Sequence, residues 1–262
     1  CSHLNAALCL LMRNVIMNID LFAPSFRDEN YPVWPCPECG ANSLTAVKDG
    51  FKKQYKVPID PNHPAFDPEW IEYVFTLNMQ CAVPTCGCGV VCVGTGDVSQ
   101  EYLDDGSGEW DWFENFEAKY FQPPLQIFEL PKDTPQGVKE ALKVSFSTFF
   151  SSPSTSLSTL RAALEVLLSE MEVASVDAKG NFLPLAKRIS SLPENYRKII
   201  EPANAIRWLG NDGTHSGYQV RKSDVVDGYR IFEHILEELY PEKKASIEAL
   251  VARINEAKGV EK

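Results

Sequence analysis

The chain has 262 residues, 44% of them hydrophobic and 23% charged, with a formal net charge of −11. That is the mixture of an ordinary globular protein, and no apolar run reaches the roughly 18 to 20 residues that a membrane-spanning helix needs. The expected location is therefore the cytoplasm, with no membrane partner. The charge is uneven: residues 1–133 hold 8 Lys+Arg against 19 Asp+Glu, whereas residues 134–262 hold 17 of each. Neither half has the basic excess of an extensive nucleic-acid footprint, which leaves room only for a small local basic patch.

The chain begins at Cys1, and Ala6, Ala7, Leu8, Leu10 and Leu11 form a short apolar stretch loosely similar to a signal-peptide core. It lacks a basic leader and a clear cleavage site. Residues 1–16 are read as an extension or a start-site artefact, with Met17 the more natural opening.

Residues 31–130 are rich in Pro, Gly, aromatics and short alternating runs. Alternation over residues 71–79 predicts a half-buried strand, and residues 89–93 a short apolar one. Residues 104–108 read as a turn. Trp110, Trp112, Phe113, Phe116, Tyr120 and Phe121 follow, a run that suits core or interdomain packing or, as the sharper alternative, a ligand-stacking surface. Pro123, Pro124 and Pro131 make extended connectors. Thr134 and Pro135 then predict a helix start, with Thr as the cap and Pro at the first helical position.

Helical spacing dominates from there. Leu157, Leu160, Leu164, Leu168 and Met171 recur every three or four residues, as do Val225, Tyr229, Phe232, Leu236 and Leu239 after a Ser223 cap. Shorter helices are expected over residues 183–192 and 194–209, and a polar one over 243–258.

Eight cysteines are present, and their grouping argues against disulfides. Cys36-Pro-Glu-Cys39-Gly40 is a knuckle, two thiolates followed by a glycine that lets the backbone turn its amides toward sulfur. Cys81-x-x-x-x-Cys86-Gly87 supplies a looser second pair. Four thiolates suit tetrahedral zinc. The expected ligands of one structural zinc are Cys36, Cys39, Cys81 and Cys86. Cys88 is the rival to Cys86, which is preferred for its flanking Pro84 and Gly87; Cys88 and Cys92 are then small apolar fillers. The bland alternative is a set of free buried thiols.

The second constellation is Arg207, Asn211 and His215, around a Gly210-Asn211-Asp212-Gly213 turn, with Arg161 and Glu165 four apart on an earlier helix. The bland reading is a structural polar cluster in which Glu165 pairs Arg161 or Arg207. The sharp reading is a metal-independent ribonuclease site, with His215 as acid and base and Arg207 on the phosphate.

The pattern Arg161-x-x-x-Glu165, Ile206-Arg207-x-x-Gly210-Asn211-x-x-x-His215 and Leu239-Tyr240, with Tyr120-Phe121-Gln122-Pro123-Pro124 and Pro131 before it, resembles the domain-of-unknown-function family numbered 4145, over roughly residues 30–240. Its members often carry an N-terminal zinc knuckle, and the family is similar to the HEPN superfamily of helical domains. The resemblance implies a zinc-ribbon-like β module over residues 17–130 and an all-α HEPN-like helical bundle over 131–262, an α+β chain. It implies a homodimer, a restriction or phage-defence setting, a possible protein partner, and RNA as a possible substrate. The catalytic signature of HEPN ribonucleases places His soon after Arg, whereas here seven residues separate Arg207 from His215 and Gly210 stands directly before Asn211. The first functional expectation is therefore a non-catalytic zinc-binding interaction or regulatory protein; the alternative is a ribonuclease using Arg207, Asn211 and His215.

Overall fold

Strict alternation builds the N-terminal sheet. In β2 (Glu72–Cys81) the side chains of Tyr73, Phe75, Leu77, Met79 and Cys81 are buried while their neighbours face outward. In β3 (Gly89–Tyr102) Val90, Cys92, Gly94, Gly96 and Val98 point inward in the same rhythm. A period of two puts one face of each strand on a core. β1 (Leu44–Tyr55) and β4 (Trp110–Gln122) complete an antiparallel meander in the order β1-β2-β3-β4. This is a computed structural model, describing residues 22, 25–27, 30–103, 108–212, 219–241 and 253–256.

Close packing explains two glycines in β3. A Cβ on Gly94 would run into the Glu117 carbonyl oxygen and lie 2.5 Å from Phe75 Cε1; one on Gly96 would lie 2.5 Å from Phe116 Cδ1. The missing side chains make room for the rings of Phe75 and Phe116, whose centroids are 5.5 Å apart at 80°. Phe26, Phe51 and Tyr73 join them, and Trp34 sits 5.0 Å from Phe121. Such ring pairs add about 0.5 to 1.5 kcal/mol each to the burial itself. The Phe26 and Phe116 backbones exchange two hydrogen bonds of 2.8 Å, so the free edge of β4 is partly paired.

The helical region is built on buried leucines. The helices are α1 (Gln136–Thr148), α2 (Pro153–Glu170), α3 (Leu185–Ser190), α4 (Arg197–Asp212) and α5 (Lys222–Leu239). In α2 Leu157, Leu160, Leu164, Leu167 and Leu168 are at most 1% exposed. Each such burial is worth about 1.5 to 3 kcal/mol, whereas the half-exposed Arg161–Glu165 pair, 3.5 Å apart on the same helix, adds only about 0.3 to 0.5. Leucine burial therefore orients α2. Gly228 of α5 lets the backbone come close to Leu157 and Leu160 of α2, where a Cβ would lie 3.2 and 3.0 Å from their methyls.

The expected helix starts move. The Thr134 hydroxyl is buried and makes no hydrogen bond; the Pro135 carbonyl instead accepts from the amides of Val138 and Lys139. At α5 the Asp224 carboxylate accepts from the Arg221 amide at 2.8 Å, so the cap lies two residues before Ser223. Of the helix expected over 243–258, only residues 253–256 lie within the described residues, and they are helical.

The chain is α+β, but the expected pairing of a zinc-ribbon-like module with an all-α HEPN-like bundle is corrected. The N-terminal part is a four-stranded sheet with an aromatic core of its own. The part after it is a helical region that includes a 3-10 turn at Glu194–Tyr196 and a Val176–Phe182 β-bridge. By its contacts the chain divides into two compact units. The first runs to Ile127 and takes in Phe146–Ser156; the second comprises Phe128–Ser145 and the chain from Leu157 onward. The ends of α1 and α2 around residues 146–156 thus belong with the sheet, because Phe149 and Phe150 pack there: Phe150 lies 4.7 Å from Phe121.

Candidate metal centre

Two tight turns at one end of the sheet shape the site. Before β1, the Gly40 amide donates to the Cys36 carbonyl at 2.9 Å and the Cys36 amide to the Ala41 carbonyl at 2.8 Å. Between β2 and β3, the amides of Cys86 and Gly87 both donate to the Val83 carbonyl. Gly40 and Gly87 adopt φ of 73° and 60°, the left-handed region that glycine enters without strain. Cys81 is the last residue of β2, opposite Leu44 of β1. The Cys81 amide donates to the Cys88 carbonyl and the Ala82 amide to the Ser43 carbonyl, so the strand ends hold the two turns against each other.

The result is a cluster of four sulfurs. Cys36 Sγ lies 3.7 Å from Cys86 Sγ and Cys39 Sγ lies 3.6 Å from Cys81 Sγ. All four Sγ atoms fall within 4.8 Å of one another. A disulfide would bring two sulfurs to about 2.05 Å, and the cysteines are free. A tetrahedron of thiolates around zinc, with bonds of about 2.3 Å, has sulfur–sulfur edges of about 3.8 Å. The donor set and its size therefore fit a metal ion.

Electrostatics favours the same occupant. The amides of Ala41, Val83 and Cys88 face Cys39, Cys81 and Cys86, and the Ser43 hydroxyl lies 3.1 Å from Cys81 Sγ. Desolvation, helped by the neighbouring thiols and opposed by the Ala41 amide, pushes the Cys39 thiol up to about 12. Desolvation would also raise Cys81, but Ser43, the Val83 amide and the adjacent thiols outweigh it and bring Cys81 down to about 7. Like charges this close cannot all form unaided; a divalent cation at the centre removes the conflict.

Cys88 lies beside Cys36 but outside the four-sulfur set, its thiol directed at the Gly89 carbonyl 3.7 Å away. It is half-exposed and precedes β3, so it is not the apolar filler expected; Cys92 is, being fully buried in β3, where desolvation pushes its thiol up to about 12. Amides turned toward sulfur were expected after Cys39, as the Ala41 amide is; Ser43 and the amides of Val83 and Cys88 were missed by the sequence reading. The only sequence signal for them is the small or turn-forming residue after each cysteine.

The helical polar residues come together only in part. Arg207 is half-buried, its Nε donating to Asn204 Oδ1 at 3.3 Å and its guanidinium 3.9 Å over the Trp208 ring. Arg161 pairs with Glu165. Gly210 abuts the aliphatic stem of Arg161, where a Cβ would lie 2.5 Å from the Arg161 Cβ. Helix α4 runs through Asn211 and ends at Asp212, three residues beyond the expected helix end at 209 and within the stretch expected to turn. His215 lies outside the described residues, as do Cys1, Cys9 and the rest of residues 1–16.

A cluster of four thiols able to hold a metal ion, at the end of a small antiparallel sheet, is thus followed in the chain by a helical region. Residues 24–121 match the family model of a domain of unknown function (DUF8608), and residues 143–257 match that of another domain of unknown function (DUF4145). The likeness to the second family therefore holds for the helical region, while the sheet and its cysteines fall in a separate family model. Comparison with curated proteins and with solved structures gives no match. Among the described residues, no helix is long and apolar enough to cross a membrane.

Proposed function

We propose that Cys36, Cys39, Cys81 and Cys86 hold one structural zinc ion, and that the protein is a non-catalytic interaction or regulatory module stabilised by it. The observation that carries this reading is the set of four sulfurs within 4.8 Å of one another, at the spacing of a zinc tetrathiolate. Sulfur donors favour zinc over magnesium or calcium. Four protein ligands leave no open position for water or substrate, so the ion fixes the two turns against the strand ends rather than acting on a reactant. The non-catalytic reading is further supported by Arg207, whose guanidinium is engaged by Asn204 and Trp208 of its own helix.

Elemental analysis of the purified chain tests the proposal. One zinc per chain is expected, lost in Cys39→Ser and retained in Cys88→Ser. Stoichiometric zinc in Cys39→Ser, or its loss in Cys88→Ser alone, refutes the ligand set.

A further inference from the structure

We propose that the far end of the β3–β4 hairpin docks a cationic segment of a partner protein, with arginine or lysine heads stacked on Tyr102, Trp110 and Trp112. This names the partner of the interaction module proposed above and rests on that reading, but it does not involve the sulfur cluster.

Pairing of β2 with β3 ends at Glu72 opposite Asp97. β3 and β4 continue together beyond it, with Gln100 opposite Trp112 and Tyr102 opposite Trp110. The two strands therefore extend as a ribbon, and three of its four large aromatics, Tyr102, Trp110 and Trp112, share the face that carries the core farther down. Away from that core they are bare: Tyr102 is 55% exposed, Trp110 61% and Trp112 38%. The Tyr102 and Trp110 rings already meet edge to face at 5.7 Å, forming one apolar surface. Exposed tryptophan and tyrosine on a rigid strand pair supply contact area at little entropic cost, and aromatic residues are enriched where interfaces form.

Charge selects the occupant. Between Lys56 and Lys119 the chain carries 12 Asp+Glu and no Lys or Arg. Glu109 and Asp111 stand on either side of Trp110 in the chain; Asp111, paired with Glu101, lies on the reverse face of the ribbon, so these carboxylates act on an occupant through their field rather than by contact. A nucleic acid or another acidic surface is repelled by such a field, and a basic one is attracted. The opposite face of the ribbon shows the chemistry at work within the chain itself. Arg27 lies with its guanidinium 3.9 Å over the Phe113 ring and forms an ion pair with Glu101. Tryptophan binds cations more strongly than phenylalanine, so the face bearing Trp110 and Trp112 is the better arginine receptor.

Fluorescence anisotropy on the full chain provides the test, using a dye-labelled peptide of alternating Arg and Gly, its Glu-Gly counterpart, and zinc content measured in every sample. Saturable binding of the arginine peptide is expected, weakening as salt rises from about 50 to 300 mM. It should fall by about tenfold or more in Trp110→Ala/Trp112→Ala, a variant that keeps its zinc because neither side chain nears the sulfurs. The Glu-Gly peptide should not bind. Equal binding by the double variant, or by the acidic peptide, overturns the proposal. So does zinc-loaded wild type that ignores the arginine peptide but self-associates in sedimentation through these tryptophans, which assigns the surface to a second copy. Wild type that binds the peptide without zinc sinks the metal reading and leaves this one standing.

Discussion

Gly94→Ala places one methyl group where the sheet has no space. The new Cβ falls on the Glu117 carbonyl oxygen of β4 and lies 2.5 Å from Phe75 Cε1 and 2.7 Å from Phe75 Cζ. The first obstacle is backbone, held at a register shift where Val93 pairs with Tyr120 and Gly94 with Ala118. It cannot swing aside as a side chain would. Relief requires β4 to move away from β3, which loosens Phe116 and Phe121 from the aromatic core they share with Phe75 and Trp34. Overpacking of this kind costs about 1 to 3 kcal/mol, and an immovable carbonyl places the site at the upper end. For a unit of this size that lowers the melting temperature by roughly 10 to 20 °C. Gly89→Ala is the matched control, because a Cβ there meets nothing within 4 Å. Thermal melts of the zinc-loaded chain, followed by tryptophan fluorescence, compare the two: four of the five tryptophans, Trp34 among them, belong to the N-terminal half. Gly94→Ala melting within a few degrees of Gly89→Ala would refute the close-packing argument.

Two further outcomes concern the helical region. Glu233 on α5 is half-buried, and desolvation, then repulsion from Glu237 and Glu129, push its carboxyl up to about 7, with Arg230 opposing. Because the folded value lies above the unfolded one, the carboxylate weakens folding once pH rises through 7 and does not below 4.5. Glu233→Gln should therefore raise stability at pH 8 by on the order of 1 kcal/mol, discounted for partial exposure, with the gain nearly gone at pH 5; helix melts at the two pH values read it, and a gain independent of pH would contradict the cause. Gly210→Ala should destabilise, although alanine is the better helix former by about 1 kcal/mol, since its methyl meets the Arg161 stem; urea unfolding that shows a net gain would mean Arg161 yields freely.

The sequence alone determined much of this protein. Its cysteine spacing, with glycine after Cys39 and Cys86, encodes two left-handed turns whatever the surroundings, because only the local backbone is involved. The periodicity of Leu157, Leu160, Leu164 and Leu168 encodes α2 in the same local way. Strand β3 was legible only as residues 89–93: its remainder, Gly94 to Tyr102, carries two glycines and no apolar run, and it is a strand because Phe75 and Phe116 need the space those glycines leave. The caps at Thr134 and Ser223 were read from residue type, but the nearby Pro135 carbonyl and Asp224 carboxylate took those roles. The helix end expected at residue 209 falls at Asp212, and Gly210, inside the helix, is where Arg161 of another helix comes close. Periodicity reports which face is buried, not against what. Hence only the tertiary structure could place Phe149 and Phe150 with the sheet, bring Cys36 to Cys86 and Cys39 to Cys81 across 50 and 42 residues, and leave Trp110 and Trp112 bare where β3 and β4 outrun their core.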